Sequence, residues 1–117
     1  MSQAHITVLA TLTAVLPNTW AGGELPPAPT FPALVFEIDS EPEPGWCALG
    51  TPDLHTVTVL ALSPTLAEAV ALRNQARAAL EALPSWYDTE SIYDAEYESR
   101  PDLYVQGLVL QLRMRSV

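Results

Sequence analysis

The stretch His55-Thr56-Val57-Thr58-Val59-Leu60-Ala61-Leu62-Ser63-Pro64-Thr65-Leu66-Ala67-Glu68 decides the fold. Its first eight residues are β-branched or apolar and follow the turn signal Gly50-Thr51-Pro52-Asp53, so they read as a strand with two fairly apolar faces. The next residues open a helix. Either Ser63 caps it with Pro64 in the first position, or Thr65 and Glu68 form a capping box. The helix runs to about Leu83, where Pro84 stops it, and Leu66, Ala69, Leu72, Ala76, Ala79, Leu80 and Leu83 form the stripe it buries.

Upstream, residues 33–40 alternate: Leu34, Phe36 and Ile38 share one face, Val35, Glu37 and Asp39 the other, the pattern of a half-buried strand. Residues 3–16 contain no breaker before Pro17-Asn18. Ile6, Leu9, Leu12, Val15 and Leu16 recur at helical spacing, which predicts a first helix. Downstream, Tyr93, Ala95 and Tyr97 alternate with Asp94, Glu96 and Glu98. Leu108, Leu110, Leu112 and Met114 alternate with Val109, Gln111, Arg113 and Arg115. Arg100-Pro101-Asp102-Leu103 between them suits a turn. A turn centred on Pro101-Asp102 sets Tyr93 against Leu110, Ala95 against Leu108 and Tyr97 against Gln106 on the helix-covered side. The acids Asp94, Glu96 and Glu98 then face outward, with Glu90 opposite Arg113 and Asp88 opposite Arg115. The order α-β-β-α-β-β predicts one α+β domain over residues 1–117. It is a two-layer sandwich, an antiparallel sheet of four strands or more with both helices on one face.

The 117 residues are 49% hydrophobic and 16% charged, enough for a packed core and unlike a disordered chain. Fourteen acids against five arginines and no lysine give a formal charge of −9, which argues against nucleic-acid binding and against a basic anchor on an anionic membrane. No apolar run reaches the roughly 18 residues of a membrane span, and the N-terminus lacks the charged start and cleavage site of a secretory signal. A single cysteine, Cys47, excludes an intrachain disulfide, and the expectation is a soluble intracellular protein.

Catalytic chemistry is hard to place. His5 and His55 lie far apart without metal-ligand spacing, Cys47 has no base nearby in sequence, and Gly22-Gly23 lacks the rest of a phosphate loop. The carboxylates from Asp88 to Asp102 read as a solvated or interface face, since general acid–base work needs convergence from different elements. No catalytic, cofactor-binding or metal residue is therefore assigned. Prolines are dense between Pro17 and Pro52, and residues 41–52 read as an arm whose apolar tip, Trp46 and Leu49, is suited to assembly. Candidate interface residues are Glu41, Glu43, Trp46 and Leu49 on that arm, Trp86 and Tyr87 after the second helix, and Arg113 and Arg115 on the final strand.

The succession of Leu16-Pro17-Asn18, Phe31-Pro32-Ala33-Leu34-Val35-Phe36-Glu37-Ile38, an acidic loop, the strand 55–62 and Ser63-Pro64-Thr65-Leu66-Ala67-Glu68-Ala69 resembles the tail terminator (tail completion) proteins of long-tailed bacteriophages and prophages. The likeness lies in pattern and order and covers nearly the whole chain; the proline density of residues 25–44 departs from it. What the resemblance implies is structural work without catalysis or cofactor. Its expected setting is a homo-oligomeric ring, usually a hexamer, on the last ring of the tail tube. Tube protein and the head-completion (connector) protein are the implied partners, and the chain would pass from host cytoplasm into the virion at the tail–head junction. Two other readings stand beside it: a head–tail stopper or other neck protein, and a small dimeric α+β ligand-binding domain.

Overall fold

The computed structural model describes residues 3–22, 25–42, 53–96 and 102–114, with 41, 42 and 53 described by backbone alone. In chain order the elements are α1 (Gln3–Val15), β1 (Thr19–Ala21), β2 (Ala33–Pro42), β3 (Asp53–Ser63), α2 (Leu66–Glu81), β4 (Trp86–Ala95) and β5 (Tyr104–Met114). One five-stranded sheet runs β1-β2-β3-β5-β4. β1 pairs with β2 in parallel and every other pair is antiparallel. The fold is thus α+β with two helices, but the expected antiparallel sheet is corrected to a mixed one and the order to α-β-β-β-α-β-β, because the short β1 pairs in parallel with β2.

β1 is the strand the sequence concealed. It is three residues long, stands directly after the Pro17-Asn18 stop, and is too short to show a period. Its place is set by Asn18, whose backbone carbonyl accepts from Leu34 N–H at 3.0 Å and whose side-chain amide donates to the Thr30 and Pro32 carbonyls at 2.6 and 3.0 Å.

The main core lies between sheet and helices. Leu34 and Phe36 of β2, Val57 and Val59 of β3, and Leu108, Leu110 and Leu112 of β5 meet Val8 and Leu12 of α1 and Leu72, Ala76 and Leu80 of α2. Each helix buries a row four residues apart, Ala4-Val8-Leu12 and Leu72-Ala76-Leu80, the spacing that packs as a continuous ridge. That choice turns Ile6 and Leu66, both expected in the buried stripes, outward to about half exposure. A smaller cluster of Val35, Leu62 and Val105 covers part of the opposite sheet face beneath Leu25, Phe31 and Leu103, so the proline-rich segment folds back onto the sheet.

Three local expectations are corrected. At the start of α2, Thr65 is the N-cap but its side chain makes no capping bond. Instead the Ser63 hydroxyl donates to Glu68 Oε1 at 2.5 Å and accepts from Thr65 N–H at 3.2 Å, so one buried serine does the work of both proposed caps. Glu41 and Pro42, expected in a loop, pair with Leu54 and Asp53. Proline is tolerated there because β1 pairs only with Leu34–Phe36, leaving the other edge of β2 open at that height. The rest of the predicted arm, with Glu43, Trp46 and Leu49, lies outside the described residues.

The third correction concerns the final hairpin. Leu108, Leu110 and Leu112 are buried on the helix side as expected, but β4 sits in another register. Tyr93 lies opposite Gly107 rather than Leu110, and Ala95 opposite Val105 rather than Leu108. Register shifts between Trp86 and Asp88 and between Thr89 and Ser91 insert an extra residue each time. The face shared with the leucines is therefore Trp86, Thr89, Ile92 and Asp94, opposite Leu112, Leu110, Leu108 and Gln106. Tyr93 and Ala95 occupy the other face, and Asp94 stands on the side assigned to Tyr93. The predicted pairs of Glu90 with Arg113 and Asp88 with Arg115 do not stand. Asp88 lies opposite Gln111, Glu90 accepts from Gln111 Nε2 at 2.7 Å, and Arg115 is outside the described residues.

A steric fit locks this register. A Cβ at Gly107 would collide with the ring of Tyr93, so the glycine is a slot in β5 into which the tyrosine lies flat. Gly107→Ala is expected to lower stability by about 1–2 kcal/mol by forcing that ring off the sheet. Tyr93→Ala relieves the clash, so the double variant should lose less than the two single losses combined. Urea unfolding of the four proteins measures this coupling, and strict additivity would mean the ring does not occupy the slot.

Candidate assembly surfaces

Among the described polar side chains, three further ties bear on candidate chemistry, and they do not converge on one pocket. On β3, His55 is 1% exposed, and burial requires both ring nitrogens to find partners. Nδ1 lies 2.6 Å from Ser40 Oγ of β2, directly opposite in the ladder, and Nε2 lies 3.3 Å from the Met114 carbonyl of β5. With Nε2–H donating to the carbonyl, Nδ1 accepts from the serine hydroxyl, and one imidazole ties three strands. Serine and histidine at this distance are also the first two members of a nucleophile–base pair. Sequence reading missed the contact because the two residues are fifteen positions apart and meet only through strand register.

The second tie runs through Gln106, buried on β5. Its Oε1 accepts from Arg73 Nη1 of α2 at 2.6 Å and its Nε2 donates to Asp94 Oδ1 of β4 at 2.9 Å. The third tie holds Trp86. The indole N–H donates to Thr89 Oγ1 at 3.1 Å, and the Thr89 hydroxyl donates to Glu81 Oε2 at 2.6 Å. That same oxygen accepts from Arg77 Nε at 2.9 Å. The end of α2 is thereby clasped to β4. Beside it Tyr87, at the first register shift, carries the Arg113 guanidinium 4.2 Å above its ring.

Of the predicted interface residues, the structure thus brings Trp86, Tyr87 and Arg113 to one end of the β4–β5 hairpin, with both aromatics exposed. Glu41 is on β2 at the far side of β3, so it does not join them. Glu43, Trp46, Leu49 and Arg115 lie outside the described residues. Arg73 and Arg77 are engaged inside the subunit, Arg73 with Gln106 and Arg77 with Glu81. Trp20 of β1, 40% exposed, is an interface candidate beyond those assigned from the sequence. Among the described residues no cluster of three or more His, Cys, Asp or Glu is placed to hold a metal ion, and no helix is long and apolar enough to cross a membrane.

The two hydrogen bonds to Glu81, first from Thr89 and then from Arg77, hold its carboxyl below the ordinary glutamate range, against a smaller opposing effect of burial. A lowered carboxyl stabilises the fold above the unfolded-state value, and that contribution is lost as pH falls through the folded-state value. Glu81→Gln should therefore lower Tm by about 1–3 °C at neutral pH, with the gap to the parent closing as the pH drops below the ordinary glutamate range. Thermal melts across pH check this; a gap that stays constant into acid would mean that the charge of Glu81 contributes nothing.

No protein-family model and no curated protein matches the sequence. Among solved structures, the fold is shared with a chain from the virion of a native gene transfer agent particle. The TM-score is 0.64 at 16% identity, covering 91% of this chain and 85% of that one.

Proposed function

We propose that this chain is a structural virion protein that caps a phage-type tail tube as a homo-oligomeric ring and presents a surface to the head-completion protein. The observation that carries the reading is the fold shared over 91% of the chain with a component of a gene transfer agent virion. An order of motifs resembling tail terminators agrees with it, and among the described residues no further strand pairs with the outer edge of β1 or of β4. Electrostatics is compatible with the role. Six copies at −9 each would carry −54, so a lumen lined with this charge repels phosphates and lets DNA pass. A ring also requires two different complementary patches on each subunit.

The proposal includes the absence of catalysis. Ser40 and His55 are the described pair most like a hydrolytic centre, and their arrangement is explained by satisfying a buried imidazole. A fluorophosphonate probe is expected to leave Ser40 unmodified. Stoichiometric labelling of Ser40 that is lost in His55→Gln would overturn the non-enzymatic reading.

Assembly is tested against a phage-type tail tube protein. Added during tube polymerisation, a terminator shortens the tubes and decorates one end with a ring visible by negative-stain microscopy. A neck protein of the stopper kind leaves tube length unchanged. Alone, the protein is expected to be monomeric or weakly associated at low concentration, its standing charge opposing assembly, and to form rings on concentration or at higher salt. Sedimentation across both variables reads this, and a tight dimer indifferent to either would favour the small-domain alternative.

A further inference from the structure

The described charges are unevenly placed. Residues Gln3–Gly22, comprising α1 and the edge strand β1, contain no Asp, Glu, Lys or Arg, whereas the opposite edge strand β4 and the residue after it carry Asp88, Glu90, Asp94 and Glu96. α1 packs over β1 and β2, so the uncharged residues form the outermost layer of one flank, with Glu37 and Asp39 of β2 the nearest described acids beyond the end of β1, and the acids of β4 line the other. Both flanks also expose apolar side chains beside an open strand edge: Trp20 on one, Ile92 and Tyr93 on the other.

Strand direction adds a second constraint. β1 runs parallel to β2, and each later step across β3, β5 and β4 reverses direction, so β4 runs opposite to β1. Setting the β4 edge of one copy beside the β1 edge of a like-oriented next copy therefore makes an antiparallel pair, which can form over only a few residues, and keeps the helices of both copies on the same side. Pairing β4 with another β4 would instead bring two acidic strands together, at a cost wherever like charges oppose. Pairing β1 with β1 would use three residues from each copy.

We infer that the partner of the β4 edge is the uncharged β1 flank of a second copy, in a head-to-tail contact that continues the sheet from one subunit to the next. This rests on the ring reading above and names the two surfaces that would make it. After the register shifts, Ser91–Ala95 is the regular part of β4 that receives β1, and the indole of Trp20, fixed by its N–H donating to Asn18 Oδ1 at 2.7 Å, is the apolar anchor.

The test uses the full chain with Cys47→Ser, into which Trp20→Cys and Ser91→Cys are placed separately and together, and a short bismaleimide. A mixture of the two single variants should give the Trp20→Cys/Ser91→Cys heterodimer as its main covalent product, and neither alone should dimerise. The double variant should give a ladder that stops at one closed size. Homodimers of the Ser91→Cys chain, or oligomers in sedimentation without the cross-link, overturn the contact, as does a chain that stays monomeric up to about millimolar. A closed ring without the cross-link leaves the ring reading standing and removes this interface; a cross-linked ladder without closure does the reverse. Benzoylphenylalanine at position 20 in the chain that keeps Cys47 gives an independent readout, with adducts expected on residues 86–96 of another copy and adducts elsewhere counting against the contact. Charge supplies the last arm. Trp20→Glu should weaken association about tenfold more than Trp20→Arg, since only the former sets acid against the acidic edge, and equal losses would overturn the electrostatic argument.

Discussion

The ladder between β3 and β5 is the constraint on which the rest of the molecule depends. It runs from Asp53 opposite Met114 to Ser63 opposite Tyr104, and it joins two strands that are each apolar on the helix side. Once β5 occupies that place, β4 has no position left but the edge, and α2 must cross the sheet to reach it. The same ladder puts Leu108, Leu110 and Leu112 beneath Leu72, Ala76 and Leu80, which is where the helix layer is held. Loss of those contacts would loosen both helices, because α1 packs on α2 and on β1 and β2 within the same core.

What the sequence disclosed follows the strength of its periodicities. β2, β3, α2 and the leucine face of β5 were legible because burial repeats along them without interruption. β4 was misplaced for the opposite reason. Its helix-side residues stand at 86, 89, 92 and 94, a spacing of neither strand nor helix, since two bulged positions break the period of two. Gly107, a lone glycine inside an apolar strand, was the available signal that another side chain approaches the backbone there, and Tyr93 is that side chain. β1 left no signal beyond Asn18, because three residues carry no pattern.

The site was less legible than the fold, and for a physical reason. Two of the polar ties join residues far apart in sequence, Ser40 with His55 and Arg73 with Gln106 and Asp94, and the third, Glu81 with Thr89 and Trp86, depends on how β4 turns back beside the end of α2. Composition shows that such groups exist; register decides which of them meet. Trp86 and Tyr87, which the sequence places just after the second helix, are exposed at the start of β4, where a hydroxyl steadies the indole and a guanidinium the phenol ring.

The position of β5 has a further consequence, in the timing of folding. It is the fifth strand in chain order yet the fourth across the sheet, inserted between β3 and β4. Until residues 104–114 have left the ribosome, β3 has an open edge, β4 has nothing to pair with, and the apolar stripe of α2 faces a sheet that lacks one of its central strands. The chain therefore cannot settle strand by strand as it is made. It closes in a late step that joins β3 to β5 across the whole of α2 and β4, and until then it exposes the apolar surface and bare strand edge that chaperones bind and aggregates recruit.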